Sequence, residues 1–184
     1  NSGINLQLDG QSTINGLVDL MGGANSRLTL NSSIVSTARL TVNGKIRTGA
    51  LVIGGNSVDA GALSGTNTAA GVTFNSGSEY EIARNSGIVG LPQARWAADA
   101  VLKVTGAASP AGFQLALTGA TPHRLGSVIW NCPLQQAPCN LGFGTFPAVD
   151  TIKGEFSVLN TGGNILRFTS SNSSSFSTVF KEDV

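Results

Sequence analysis

Four stretches of the chain repeat one pattern at nearly constant spacing. Leu6-Gln7-Leu8-Asp9-Gly10, Leu28-Thr29-Leu30-Asn31-Ser32, Leu51-Val52-Ile53-Gly54-Gly55 and Val72-Thr73-Phe74-Asn75-Ser76 each read apolar, variable, apolar, then two turn formers. Subtracting successive first positions gives spacings of 22, 23 and 21. A second series offset within the period, Val18 to Leu20, Leu40 to Val42, Ala62 to Leu63 and Tyr80 to Ile82, keeps similar spacing. Periods of this size mark stacked architectures, because a unit of two short strands cannot cover its own apolar face. Alternate residues of a strand point to one side. A neighbouring coil that places equivalent apolar residues directly above them completes the core and pairs each strand in parallel with its counterpart.

Residues 1–90 are therefore expected to form a short right-handed parallel β-helix of about four coils, with glycines such as Gly22, Gly44 and Gly65 at the corners. The competing reading is an antiparallel meander, since strand signals also recur at about half that spacing, as they do in sandwiches. Near residue 91 the pattern changes. Leu91-Pro92 interrupts it, and Ala94 to Ala100 is the chain's only helix-tolerant run. Six alternating segments follow, beginning at Val101, Phe113, Ser127, Glu155, Ile165 and Phe176, and seven of the eight Phe and both Trp lie in this half. Residues 91–184 are accordingly expected to form an antiparallel β-sandwich or jelly-roll-like domain that caps the last coil.

Composition fits an all-β chain and excludes several functions. Charged residues make up 11% of the 184, against about 25% in typical domains. Net charge is +1, with no basic run, so neither nucleic acid nor an anionic membrane is an expected partner. No stretch has the length of apolar residues that membrane insertion by a helix requires. The amino end lacks the zones of a signal peptide, and a chain starting at Asn1 reads as a processed product or a fragment.

Glycoside cleavage needs two carboxyl groups about 5 to 9.5 Å apart across a sugar. Asp9, Asp19 and Asp59 are scattered, whereas Glu79 and Glu81 flank Tyr80 on one face of a strand, about 6.6 to 6.8 Å apart along it. They are the weak catalytic candidates; the preferred reading puts both on a solvated face, and no catalytic residue is assigned. A lyase scheme would use Tyr80 beside Arg84. The sole histidine, His123, reads as a surface loop residue. No metal site or cofactor is expected. Cys132 and Cys139 bracket a loop stiffened by Pro133 and Pro138, and a disulfide between them and two free thiols are equally compatible with that spacing. Trp130, Trp96 and Arg124 are candidate glycan-binding residues, with Phe143, Phe146, Asn131, Gln135, Gln136 and Asn140 nearby. Flat rings stack on sugars and amides read hydroxyls; the alternative is that the rings fill a core.

As architecture, a Gly/Asn/Ser-rich solenoid followed by a compact β domain resembles the distal, carboxyl-terminal part of bacteriophage tailspikes and tail fibres. The resemblance covers nearly the whole chain and rests on no family-specific motif. It implies a homotrimer on the virion tail, outside the cell, that contacts bacterial surface polysaccharide. In many members it also implies a depolymerase. Bacterial autotransporter and adhesin solenoids share the first half and imply a cell-surface location instead.

Overall fold

The protein is described here by a computed structural model covering residues 5–8, 10–21, 27–30, 39–48, 71–85, 87–91, 94–117, 123–142, 150–168 and 178–180. Every element among them is a strand. After β1 (Asn5–Leu8), the first circuit runs β2 (Gln11–Ile14), β3 (Leu17–Leu20) and β4 (Arg27–Leu30). Next come β5 (Arg39–Val42) and β6 (Lys45–Thr48), then the triplet β7 (Val72–Phe74), β8 (Glu79–Ile82) and β9 (Gly87–Leu91). The circuit repeats as β10 (Arg95–Trp96), β11 (Val101–Val104) and β12 (Phe113–Leu117), and again as β13 (Arg124–Leu125), β14 (Ser127–Asn131) and β15 (Cys139–Asn140). The last described strands are β16 (Asp150–Ile152), β17 (Phe156–Asn160), β18 (Leu166–Arg167) and β19 (Thr178–Phe180).

Each position in the triplet builds its own parallel sheet, which makes the molecule a three-sided solenoid. One side carries β2, β5, β7 and β10, and β13 adjoins β10 to begin a further sheet with β16 and β19. The central side is six strands deep, in the order β3, β6, β8, β11, β14, β17. The third side contains β9, β12, β15 and β18, with β1 and β4 paired separately. Among the described residues, 1–90 supply three strands of the central side, fewer than the four coils expected.

The parallel solenoid is present, but the antiparallel sandwich expected over 91–184 is not shown among the described residues. Every described pairing in that half is parallel, including β11 with β14, β12 with β15 and β14 with β17. Strands on either side of residue 91 also pair directly: β7 with β10, β8 with β11 and β9 with β12. The helix-tolerant run becomes β10 and a turn.

The repeat length also needs correction. Leu6 and Leu28 are register partners, as the pattern predicts. Val72 instead pairs with Leu40, and Val18 pairs with Ile46 rather than stacking below Leu40. The same strand-turn pattern recurs on every side, so a translation by one fixed period steps across to a different sheet. Leu51, Ala62 and Leu63 lie outside the described residues.

Alternation along the strands builds the interior. On the central side one inward row runs Val18, Ile46, Tyr80, Leu102, Val128, Phe156, and the next runs Leu20, Thr48, Ile82, Val104, Trp130 before reaching a half-exposed Val158 on the last strand. Tyr80, Leu102, Val128, Ile82, Val104 and Trp130 are fully buried; burial of an apolar side chain of such size contributes about 1.5–3 kcal/mol. The opposing side adds Phe74 and Trp96, whose rings stack with centroids 4.0 Å apart. The core is thus one continuous column, shared by both halves of the sequence.

Candidate functional site

The carboxylates singled out by sequence lie on β8, in the middle of the central side. In-register stacking places Lys45 beside Glu79 and Arg47 beside Glu81, with Asp19 beyond Arg47 and Lys103 on the other flank of Glu81. Asp19, Arg47, Glu81 and Lys103 therefore form an outward row of alternating charge, one residue from each successive coil. Lys45 Nζ lies 2.8 Å from Glu79 Oε1 and 2.5 Å from Glu81 Oε2. Arg47 reaches Glu81 at 3.5 Å and Asp19 at 3.9 Å. The Thr105 hydroxyl donates to Glu81 Oε1 at 2.8 Å.

These contacts decide the chemistry of Glu81. Its burial pushes the carboxyl pKa up, but hydrogen bonds from Lys45 and Thr105 and the charges of Lys45 and Arg47 outweigh that and hold it below the ordinary value. Lys45 shifts up, mainly through its hydrogen bonds to Glu79 and Glu81. A general acid for glycoside cleavage needs a raised carboxyl pKa and a free face toward the leaving oxygen. Glu81 has neither. Tyr80 points the other way, into the core with no exposure, so it offers no base on the surface near Arg84. Glu79 and Glu81 are parts of an ion-pair lattice between coils.

The glycan candidates separate in the same manner. Trp130 is fully buried and Trp96 is 3% exposed, so neither ring face is open to a sugar. Trp96 is covered by Phe74, and Trp130 meets the Phe113 ring edge-on at 5.8 Å. Arg124 is exposed, on β13, away from the central side that carries Trp130. His123 is buried, not on a surface loop, and its carbonyl accepts from the Thr151 amide at 2.9 Å. Phe143, Phe146, Asp9 and Asp59 lie outside the described residues.

The loop after β14 is built around Gln135, which is 3% exposed. Its Oε1 accepts from Trp130 Nε1 at 3.1 Å, while Nε2 donates to the carbonyls of Ala137 and Ile165 at 2.9 and 3.0 Å. Its own carbonyl accepts from Asn164 Nδ2 at 2.8 Å. An amide expected to read sugar hydroxyls is consumed by a corner of the solenoid. Cys132 and Cys139 flank this plug as buried free thiols, each with its sulfur 3.5 Å from a backbone carbonyl, of Val104 and Ala137 respectively. Burial pushes the Cys132 thiol up to about 11 and raises Cys139 as well.

Sequence reasoning missed an asparagine ladder at the corner between the first and central sides. Asn43 Nδ2 donates to Asn15 Oδ1 at 2.7 Å, and Asn75 Nδ2 donates to Asn43 Oδ1 at the same distance. The signal is present in the matching segments Ile14-Asn15-Gly16-Leu17 and Val42-Asn43-Gly44-Lys45. The second Asn-Gly corner packs closely on the first: a Cβ on Gly44 would sit 2.2 Å from the Gly16 carbonyl oxygen. Among the described residues no group of three His, Cys, Asp or Glu could hold a metal ion, and no helix is long and apolar enough to cross a membrane.

No family model matches the chain, and neither the curated proteins nor the solved structures provide a match.

Proposed function

We propose that this chain is a non-catalytic solenoid segment of an extracellular surface appendage, a tailspike or tail fibre of the kind its architecture resembles, in which it serves as a stiff shaft. One observation carries the reading: the polar groups with the most suggestive chemistry are spent on holding coil to coil. Glu79 and Glu81 are engaged by Lys45 and Arg47, Gln135 by its corner, and Asn15, Asn43 and Asn75 by one another. An active carboxyl pair or a carbohydrate platform would instead leave such groups facing solvent with unsatisfied capacity. In this role the chain associates as a homotrimer on the virion tail, where the appendage contacts bacterial surface polysaccharide.

A second reading is a cell-surface adhesin or autotransporter solenoid, favoured by the pairing of strands across residue 91 where a compact cap was expected. Light scattering separates the two, since a stable trimer supports the appendage and a monomer the adhesin. Incubation with bacterial surface polysaccharides tests the shared premise. Release of reducing ends or of unsaturated sugar products by this chain would overturn a non-catalytic role and restore the depolymerase.

A further inference from the structure

The asparagine ladder has an open end at Asn15 and a held middle at Asn43, and the difference bears on covalent chemistry. Asn-Gly is the dipeptide most prone to spontaneous deamidation, because glycine leaves its backbone nitrogen open to attack the preceding side-chain amide. Two such pairs, Asn15-Gly16 and Asn43-Gly44, occupy equivalent corners of successive coils.

Asn43 is held against the reaction from three directions. Its Nδ2 donates to Asn15 and its Oδ1 accepts from Asn75, so the side chain cannot swing toward its own backbone without breaking both bonds. The nitrogen that would attack, Gly44 N, donates to the Ile14 carbonyl at 3.0 Å, which disfavours the deprotonation that makes it nucleophilic. Asn15 is the end of the ladder among the described residues. Both asparagines are exposed, but among the described residues only the Oδ1 of Asn15 is engaged, and Gly16, unlike the half-buried Gly44, is exposed and open enough that a Cβ would meet nothing within 4 Å.

We propose that Asn15-Gly16 is a deamidation site of the folded protein and that stacking protects Asn43-Gly44 from the same reaction. The Gly16 nitrogen bonds to Asn15 Cγ, the Cγ–Nδ2 bond breaks, and ammonia leaves with the amide proton, closing a succinimide. Water then opens the ring to aspartate or isoaspartate. Aspartate keeps an oxygen that can accept from Asn43, whereas isoaspartate adds a methylene to the backbone at the corner between β2 and β3 and disturbs their register with β5 and β6.

The test is peptide-mapping mass spectrometry of the whole chain after incubation in mildly alkaline buffer, folded and in urea. Trypsin places Asn43 in the peptide 40–45 and Asn15 in the peptide 1–27, where fragmentation locates the modified residue. In the folded chain Asn15 should convert about tenfold or more faster than Asn43, a barrier difference of about 1.4 kcal/mol or more, and urea should bring the two rates together. Gly16→Ala, for which the structure has room, should slow Asn15 and leave Asn43 unchanged. Equal rates at the two sites in the folded chain, or faster conversion of Asn43, would overturn the proposal.

Discussion

The indole nitrogen of Trp130 donates to the side-chain oxygen of Gln135 at 3.1 Å, wholly inside the solenoid. A residue pair that in sequence looks suited to grip a sugar is a sealed polar contact, and its partners are backbone carbonyls of its own and the next coil. Replacing Gln135 with Leu would strand Trp130 Nε1 and leave the Ala137 carbonyl with only the weak Cys139 thiol contact, while the Ile165 carbonyl keeps its bond from the Cys139 amide. An unsatisfied buried group costs about 1–3 kcal/mol. Urea denaturation of Gln135→Leu should show a loss of at least that size, and a midpoint equal to that of the native chain would contradict the buried network.

Trp130→Ala tests the core against the ligand reading directly. Removing a fully buried Trp costs about 3–5 kcal/mol through lost burial and the cavity left behind. The variant should unfold at much lower denaturant concentration. A variant of undiminished stability that fails to bind polysaccharide would return Trp130 to the surface.

The two Asn-Gly corners should respond unequally to the same substitution. Gly44→Ala drives a methyl group into the Gly16 carbonyl and the Asn15 backbone, whereas Gly16→Ala meets open space. Overpacking of this kind costs about 1–3 kcal/mol, so thermal melting should fall for Gly44→Ala and hold for Gly16→Ala. Matching melting curves for the two variants would argue against the close approach of the coils.

Stability should also depend on pH through β8. Glu81 has a folded pKa below its ordinary 4.5, so its contribution is complete above 4.5 and is lost as pH falls through the lower folded value. Lys45 has a folded pKa above 10.5; its contribution is complete below 10.5 and is lost as pH rises through the higher one. Stability measured against pH should therefore have an acid limb that flattens in Glu81→Gln. An unchanged acid limb in that variant would show that Glu81 is not held by Lys45 and Thr105.

Cys132 and Cys139 should be inert in the native state. Burial keeps the Cys132 thiol protonated, with a pKa of about 11, and denies reagent access to both sulfurs. A chromogenic disulfide reagent at neutral pH should label neither until urea is added. Immediate labelling of the folded chain would mean that the Gln135 corner opens readily.

Much of this architecture is legible in the residues. Leu6 and Leu28, or the alternation of Leu102 and Val104 with less buried neighbours, state a parallel solenoid because alternate apolar residues gain cover only from a stacked copy. Register is harder to read. Glu79 is flanked by Lys45 on one side and Val101 on the other, yet the chain between Lys45 and Glu79 is much the longer of the two connections, since corners of different length feed identical strands. The sandwich expectation arose from six short alternating segments after the pattern breaks near residue 91, with most of the aromatic residues among them; in the structure Trp96 and Trp130 fill the same column as Phe74 and Tyr80. Glu79 and Glu81 showed their shared face in sequence but not their partners, because Lys45 and Arg47 come alongside only once the coils stack.

That every described strand pairs in parallel has a mechanical consequence. The hydrogen bonds between coils run along the solenoid axis, so a pull on its two ends loads the successive layers in series with the same force, and an outermost coil, covered on one side only, is the first to yield. Under tension such a molecule yields one coil at a time at modest force. Force applied across the axis would instead be shared by several sheets at once.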